Sequence, residues 1–107
     1  MTDEIVVLIT APDEDGAAGI GRTLVEERLA ACANIVRAVR SIYRWKGEIF
    51  DEPECLLVIK TVSGNFRKLE ERVRSIHPYE VPEIIALEIS EGSRPYLDWI
   101  VENTRLG

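Results

Sequence analysis

His77 is the only histidine in the chain. It stands in the run Ile76-His77-Pro78-Tyr79-Glu80-Val81-Pro82-Glu83. An imidazole there can ligate a metal ion or titrate near neutral pH, or it can simply face the carboxyl end of a helix. Tyr79 and Glu80 add oxygen atoms beside it, and the two prolines stiffen the loop that would hold them. Cys32, after Leu29-Ala30-Ala31, is a second candidate donor or nucleophile, with a small buried hydrophobe as its other reading. Cys55 flanks an apolar run and reads as core. Asp13-Glu14-Asp15 could suit a hard cation, although acids in a first helical turn ordinarily answer the helix dipole. Asp51-Glu52-Pro53-Glu54 reads as a solvated strand segment. No G-x-S-x-G, H-E-x-x-H or P-loop pattern occurs, so a non-enzymatic protein is expected.

The elements that must position these residues follow from periodicity. Glu4 to Thr10 is a continuous Ile/Val/Leu run, the pattern of a central strand. Thr10-Ala-Pro-Asp13 opens a helix that should run to about Ala31, with Ile20, Leu24 and Leu29 inward. Ala33 to Trp45 and Glu48 to Thr61 form a long hairpin about a two-residue Lys46-Gly47 turn. That turn sets Tyr43 opposite Phe50 and Arg44 opposite Ile49, and Pro53 should mark an edge or a bulge. A second helix starts near Ser63 with the stripe Phe66, Leu69, Val73 and Ile76, and ends by His77 because Pro78 restricts it. Glu83 to Ile89 is a fourth strand. Gly92-Ser93-Arg94-Pro95 opens a third helix, with Tyr96, Trp99 and Ile100 inward.

The order is the α+β, ferredoxin-like βαββαβ pattern with a long hairpin and a C-terminal helix added, in one domain over residues 1–107. Right-handed crossovers put the first and third strands at the centre and both long helices on one face. Cys32 then lies at one end of the sheet, and His77 lies at the other beside the hairpin tip. One hairpin arm of 13 residues spans roughly 43 Å, against a diameter of roughly 35 Å for a domain of this size. The aromatic tip, with Tyr43, Trp45 and Phe50, should therefore project, and one sheet face should stay open. Both features favour packing of copies around a symmetry axis.

Composition narrows the partners. The chain is 46% hydrophobic and 30% charged, with a net charge of −6, which suits a folded globule and disfavours nucleic acid. Arg37, Arg40, Arg44 and Lys46 cluster in one segment, but acids are interleaved elsewhere. The apolar run near the start, Ile5 to Ile9, is far short of a bilayer span of roughly 20 residues. It also follows acids, where a signal peptide would begin with positive charge. Two cysteines without C-x-x-C spacing do not suggest a secreted scaffold. A cytoplasmic location is the expectation.

Taken together, Thr10-Ala-Pro-Asp13, Glu27-Arg-Leu-Ala-Ala-Cys-Ala-Asn34, Ser41-Ile-Tyr-Arg-Trp-Lys-Gly47, Ile59-Lys-Thr61, His77-Pro-Tyr-Glu-Val-Pro-Glu-Ile84 and Tyr96-Leu-Asp-Trp99 resemble the CutA family of divalent-cation tolerance proteins over nearly the whole chain. The resemblance implies a ferredoxin-like homotrimer, similar in architecture to PII signalling proteins. It also implies a role in tolerance of divalent metal ions, with Cu2+ the usual candidate. On that reading His77 and Glu80 are the expected metal residues, and Tyr43, Trp45, Tyr79 and Trp99 line a ligand cleft or an interface. Cys32 is a further motif residue. The family's described copper donors, a thiol late in the first strand and a histidine pair, are replaced here by Ile9 and by Ile76-His77. The rival expectations are a PII-like trimer that binds a small anion in an intersubunit cleft and signals to a partner, and a scaffolding trimer.

Overall fold

Strand β1 (Glu4–Ala11) alternates cleanly between two faces. Ile5, Val7, Ile9 and Ala11 are buried under the helices, and Val6, Leu8 and Thr10 lie half-buried on the opposite side. Helix α1 (Glu14–Glu26) starts at Asp13, whose side chain accepts from the Gly16 backbone N–H at 2.7 Å. Glu14 and Asp15 fill the first turn, so this acidic run serves the helix start. Pro12 precedes the cap rather than sitting inside the helix. These features come from a computed structural model that describes residues 3–106.

Helix α1 stops five residues before the expected Ala31. Arg28 takes a left-handed φ of 61°, and the Leu29 and Ala30 N–H groups both turn back to the Leu24 carbonyl. The apolar periodicity runs on through Leu29 because that side chain is still buried after the backbone has left the helix. Arg28 also reaches the Glu102 and Arg105 carbonyls at 3.0 Å each, which ties this break to the far end of the chain.

Strands β2 (Cys32–Trp45) and β3 (Glu48–Val62) form the hairpin. Lys46 and Gly47 both have positive φ, 51° and 82°, the conformation of a type I′ turn. Tyr43 pairs with Phe50 and Arg44 with Ile49, as the turn length predicts. The bulge lies in β2, between Val36 and Val39, rather than at Pro53. Ala38 there has φ 62°. Pro53 pairs with Arg40, and it lies beyond the last β1–β3 pair, Ala11 with Cys55. The side of β3 away from β2 is therefore unpaired at that point, where a missing N–H is tolerated.

A 3-10 turn (Ser63–Asn65) leads into helix α2 (Phe66–Ile76). Strand β4 (Ile84–Glu88) and helix α3 (Arg94–Glu102) complete the chain. The sheet order is β2-β3-β1-β4, with every pair antiparallel. This is the ferredoxin-like arrangement, with the first and third strands central. The main core lies between the sheet and helices α1 and α2. Helix α3 packs Leu97 and Ile100 with Ala31, Val62 and Ile89, and so covers one end of the opposite sheet face. The rest of that face, with Leu8, Val36, Ile85 and Leu87, has no helix over it. Ile76, Tyr96 and Trp99 are exposed rather than inward. Helical spacing gives the direction of a side chain, but the fold leaves these three only partly covered.

Candidate functional site

The His77 loop begins where α2 ends. The His77 N–H closes the helix on the Val73 carbonyl at 2.8 Å, and its backbone then turns extended. The ring is buried, 8% exposed, and both of its nitrogens are engaged. The Tyr79 N–H donates to Nδ1 at 3.1 Å. Nε2 lies 2.7 Å from the Thr10 carbonyl oxygen. A carbonyl can only accept, so Nε2 carries the proton and Nδ1 holds the lone pair that Tyr79 uses. His77 thus ties helix α2, the following loop and the end of β1 together.

Tyr79 stacks obliquely on that imidazole, with ring centroids 4.8 Å apart. Its hydroxyl donates to Glu54 Oε2 at 2.7 Å. Burial, then the bond to Glu54, raises the Tyr79 phenol well above its ordinary value. Glu54 itself is only 9% exposed. It was expected to be solvated with its acidic neighbours, but it shares a sheet face with Leu56 and lies under Tyr79, 25 residues on. Strand alternation from Leu56 and Val58 was the one signal that could have found it.

Tyr79 and Glu54 line a cleft of about 600 Å³ between the hairpin and the loop that follows His77. Its walls carry Tyr43, Trp45 and Tyr79, and the carboxylates of Glu54, Glu80 and Glu83. Lys46 stands at its rim, with Nζ 3.6 Å from Glu80 and 5.5 Å from the Trp45 ring centroid. Tyr43 stacks on Phe50 at 5.5 Å. Thr10, Glu54 and Tyr43 continue the face of the sheet that the helices leave open, so the cleft and the uncovered apolar face are contiguous.

Two expected site residues lie elsewhere. Trp99 is 43% exposed and stacked on Tyr96, on the outside of α3 and away from the cleft. Cys32 lies at the opposite end of the sheet, paired with Lys60. Its thiol approaches Asn34 Oδ1 at 3.6 Å, and Tyr96 is its other neighbour, the phenol raised by burial and by that thiol. Both cysteines are free, and Cys55 is in the core. The basic segment of the hairpin is largely paired: Arg37 with Glu14, Arg40 with Asp51 and Lys46 with Glu80.

The donors do not fit a copper site centred on His77. Neither ring nitrogen has a free lone pair, and among the described residues no group of three or more His, Cys, Asp or Glu side chains could hold a metal ion. A tight site for such an ion gathers three or four N/S donors.

A ferredoxin-like sheet with a long aromatic hairpin and a cleft beside the hairpin's tip defines the α+β class of this protein. The family described as "CutA1 divalent ion tolerance protein" matches residues 5–103, and the chain belongs to that family. It is 59% identical over 101 residues to the divalent-cation tolerance protein CutA of Thermus thermophilus, spanning 94% of this chain and 98% of that one. Protein CutA of Mus musculus is 49% identical over 90% of this chain, which spans 54% of the mouse protein's length. Among solved structures, the Thermus thermophilus protein superimposes with a TM-score of 0.92 over 95% of this chain and 99% of its own. CutA from Xylella fastidiosa superimposes with 0.94 at 38% identity, over 97% of this chain and 100% of its own. Relatives carry the words "chloroplastic" (Arabidopsis thaliana) and "periplasmic" (Archaeoglobus fulgidus) in their names, so family membership does not fix a cytoplasmic location. Among the described residues no helix is long and apolar enough to cross a membrane.

Proposed function

We propose that the chain is a non-enzymatic, homotrimeric module of divalent-cation tolerance whose ligand site is the cleft between the hairpin and the His77 loop, and that this site selects for positive charge. One observation carries the reading: the cleft wall holds three carboxylates and three aromatic rings but no basic side chain. Cations are attracted both to carboxylates and to the faces of aromatic rings. The trimer would complete the cleft, because the open apolar face runs into it. Copper on His77 would require the ring to leave both of its hydrogen bonds. Glu80 is the more accessible metal residue, once released from Lys46. The PII-like reading, with an anionic ligand, has less support, since Lys46 is the nearest cation and is already paired with Glu80.

Calorimetric titration of the assembled protein against Mg2+, Cu2+, an alkylammonium salt and ATP tests the sign of the ligand. Saturable binding of a cation that is weakened by Glu80→Gln is expected. Binding of ATP alone would overturn the cationic reading in favour of the PII-like one.

A further inference from the structure

The cleft holds chemistry that a bare divalent ion would not use. Hard cations need oxygen donors close around them, at about 2.0–2.6 Å. Glu54, Glu80 and Glu83 line one cavity of about 600 Å³, yet no three acidic, histidine or cysteine side chains among the described residues converge on a common point. Carboxylates spread around a cavity cannot together grip one ion. Each can meet a separate ammonium group of an elongated molecule. The same cavity is lined by Ile42, Pro78 and Val81, which suit methylene stems, and by aromatic rings that suit alkylammonium heads.

The protein already makes this contact within itself. The Lys46 ammonium stands 5.5 Å from the Trp45 ring centroid and 3.6 Å from Glu80 Oε2, held between a π face and a carboxylate at the rim. At the floor, Glu54 is 9% exposed, and its side chain takes one hydrogen bond, from Tyr79. No Lys, Arg or His forms an ion pair with it among the described residues. A buried carboxylate without a counter-charge is unfavourable, and an entering ammonium would supply one.

We infer that the cleft binds aliphatic polyamines, elongated organic cations with two or more protonated amino groups. One ammonium lies against Glu54, and another takes the place of Lys46 between Trp45 and Glu80. This rests on the reading that the cleft is the ligand site.

The test is calorimetric titration of the full chain with spermidine, with Mg2+ and Cu2+ as ionic controls and with a neutral diol of similar length. Spermidine should bind and the diol should not. Trp45→Ala and Glu54→Gln should each weaken spermidine binding about tenfold or more, with folding checked by circular dichroism. Glu80→Gln serves as the alternative if Glu54→Gln unfolds. Lys46→Ala should hold or raise the affinity, because it removes the internal competitor. In a Trp99→Phe background, spermidine should change the emission of Trp45. Binding of Mg2+ or Cu2+ through Glu80 without binding of spermidine would overturn the polyamine inference and leave the cleft reading intact. With ATP as a further titrant, binding of ATP with neither metal nor spermidine would overturn the polyamine inference and the cationic reading together. A stronger effect of Lys46→Ala in the direction of lost affinity would also overturn it.

Discussion

At the scale of single residues, His77 and Glu54 changed roles relative to their sequence context. An isolated histidine before Pro-Tyr invites a metal reading, but the ring's two hydrogen bonds, to the Thr10 carbonyl and from the Tyr79 N–H, make it a clasp. His77→Ala should therefore lower folding stability by about 1–3 kcal/mol, since it leaves buried backbone groups without partners. Urea denaturation should show a lower midpoint at unchanged slope, and an unaltered midpoint would refute the clasp. Tyr79 gives a pH signature. Its native pKa is raised above the ordinary 10.0 by burial and by Glu54, so the fold favours the neutral phenol. That stabilisation is in full force below the unfolded value and fades as pH climbs through the higher native one. In an alkaline titration followed by phenolate absorbance, Tyr79→Phe should remove the last tyrosine to ionise. If the late phase survives the substitution, the Tyr79–Glu54 bond does not control it.

At the scale of elements, what the sequence made legible was what short-range geometry determines. A two-residue turn admits one pairing, so Tyr43 opposite Phe50 could be read directly. The β1 alternation and the α2 stripe through Val73 were equally local. The misses came from distant partners. Glu54 sits in the acidic string Asp51-Glu52-Pro53-Glu54, and only the loop 25 residues on buries it. The end of α1 was hidden because Leu29 keeps the apolar rhythm after Arg28 has broken the helix. The candidate cleft was partly legible: Tyr43, Trp45, Tyr79 and Glu80 line it, whereas Trp99, grouped with them as a motif residue of a ligand cleft or an interface, lies on the outside of α3. The bulge carries its own prediction. Ala38 is exposed and holds a left-handed φ of 62°, a conformation that disfavours any residue with a Cβ. Ala38→Gly should raise stability by up to about 1 kcal/mol, measured by thermal unfolding. A clear loss would mean that the Ala38 methyl makes packing contacts that outweigh the backbone strain.

At the scale of the whole molecule, the helices cover one sheet face and α3 covers only an end of the other. Ile85 and Leu87 on β4 are about half exposed, at 48% and 49%, beside Leu8 and Val6 on β1. Exposed apolar patches of this kind mark contact surfaces in general, and the proposed trimer would cover this one. Light scattering after gel filtration should give three times the 12.1 kDa chain mass. Ile85→Glu should reduce it toward one chain mass while far-ultraviolet circular dichroism stays native, because the site is already half open in a single chain. A trimer that survives Ile85→Glu would place the contact elsewhere.

The bulge between Val36 and Val39 also corrects the parity of the strand. One extra residue in β2 keeps Val36 and Val39 on the same side of the ribbon, opposite Leu56 and Glu54. Every second residue after it, Ser41, Tyr43 and Trp45, inherits that side. Were the same residues paired in strict alternation with no bulge, the register beyond Val36 would slip by one, and Tyr43 and Trp45 would turn to the opposite side of the ribbon. Deletion of Ala38 would instead place Val39 two residues after Val36 and keep Tyr43 and Trp45 on their present side with no bulge at all. The cleft's chemistry thus depends on the bulge taking up one residue as much as on the identities of the residues beyond it.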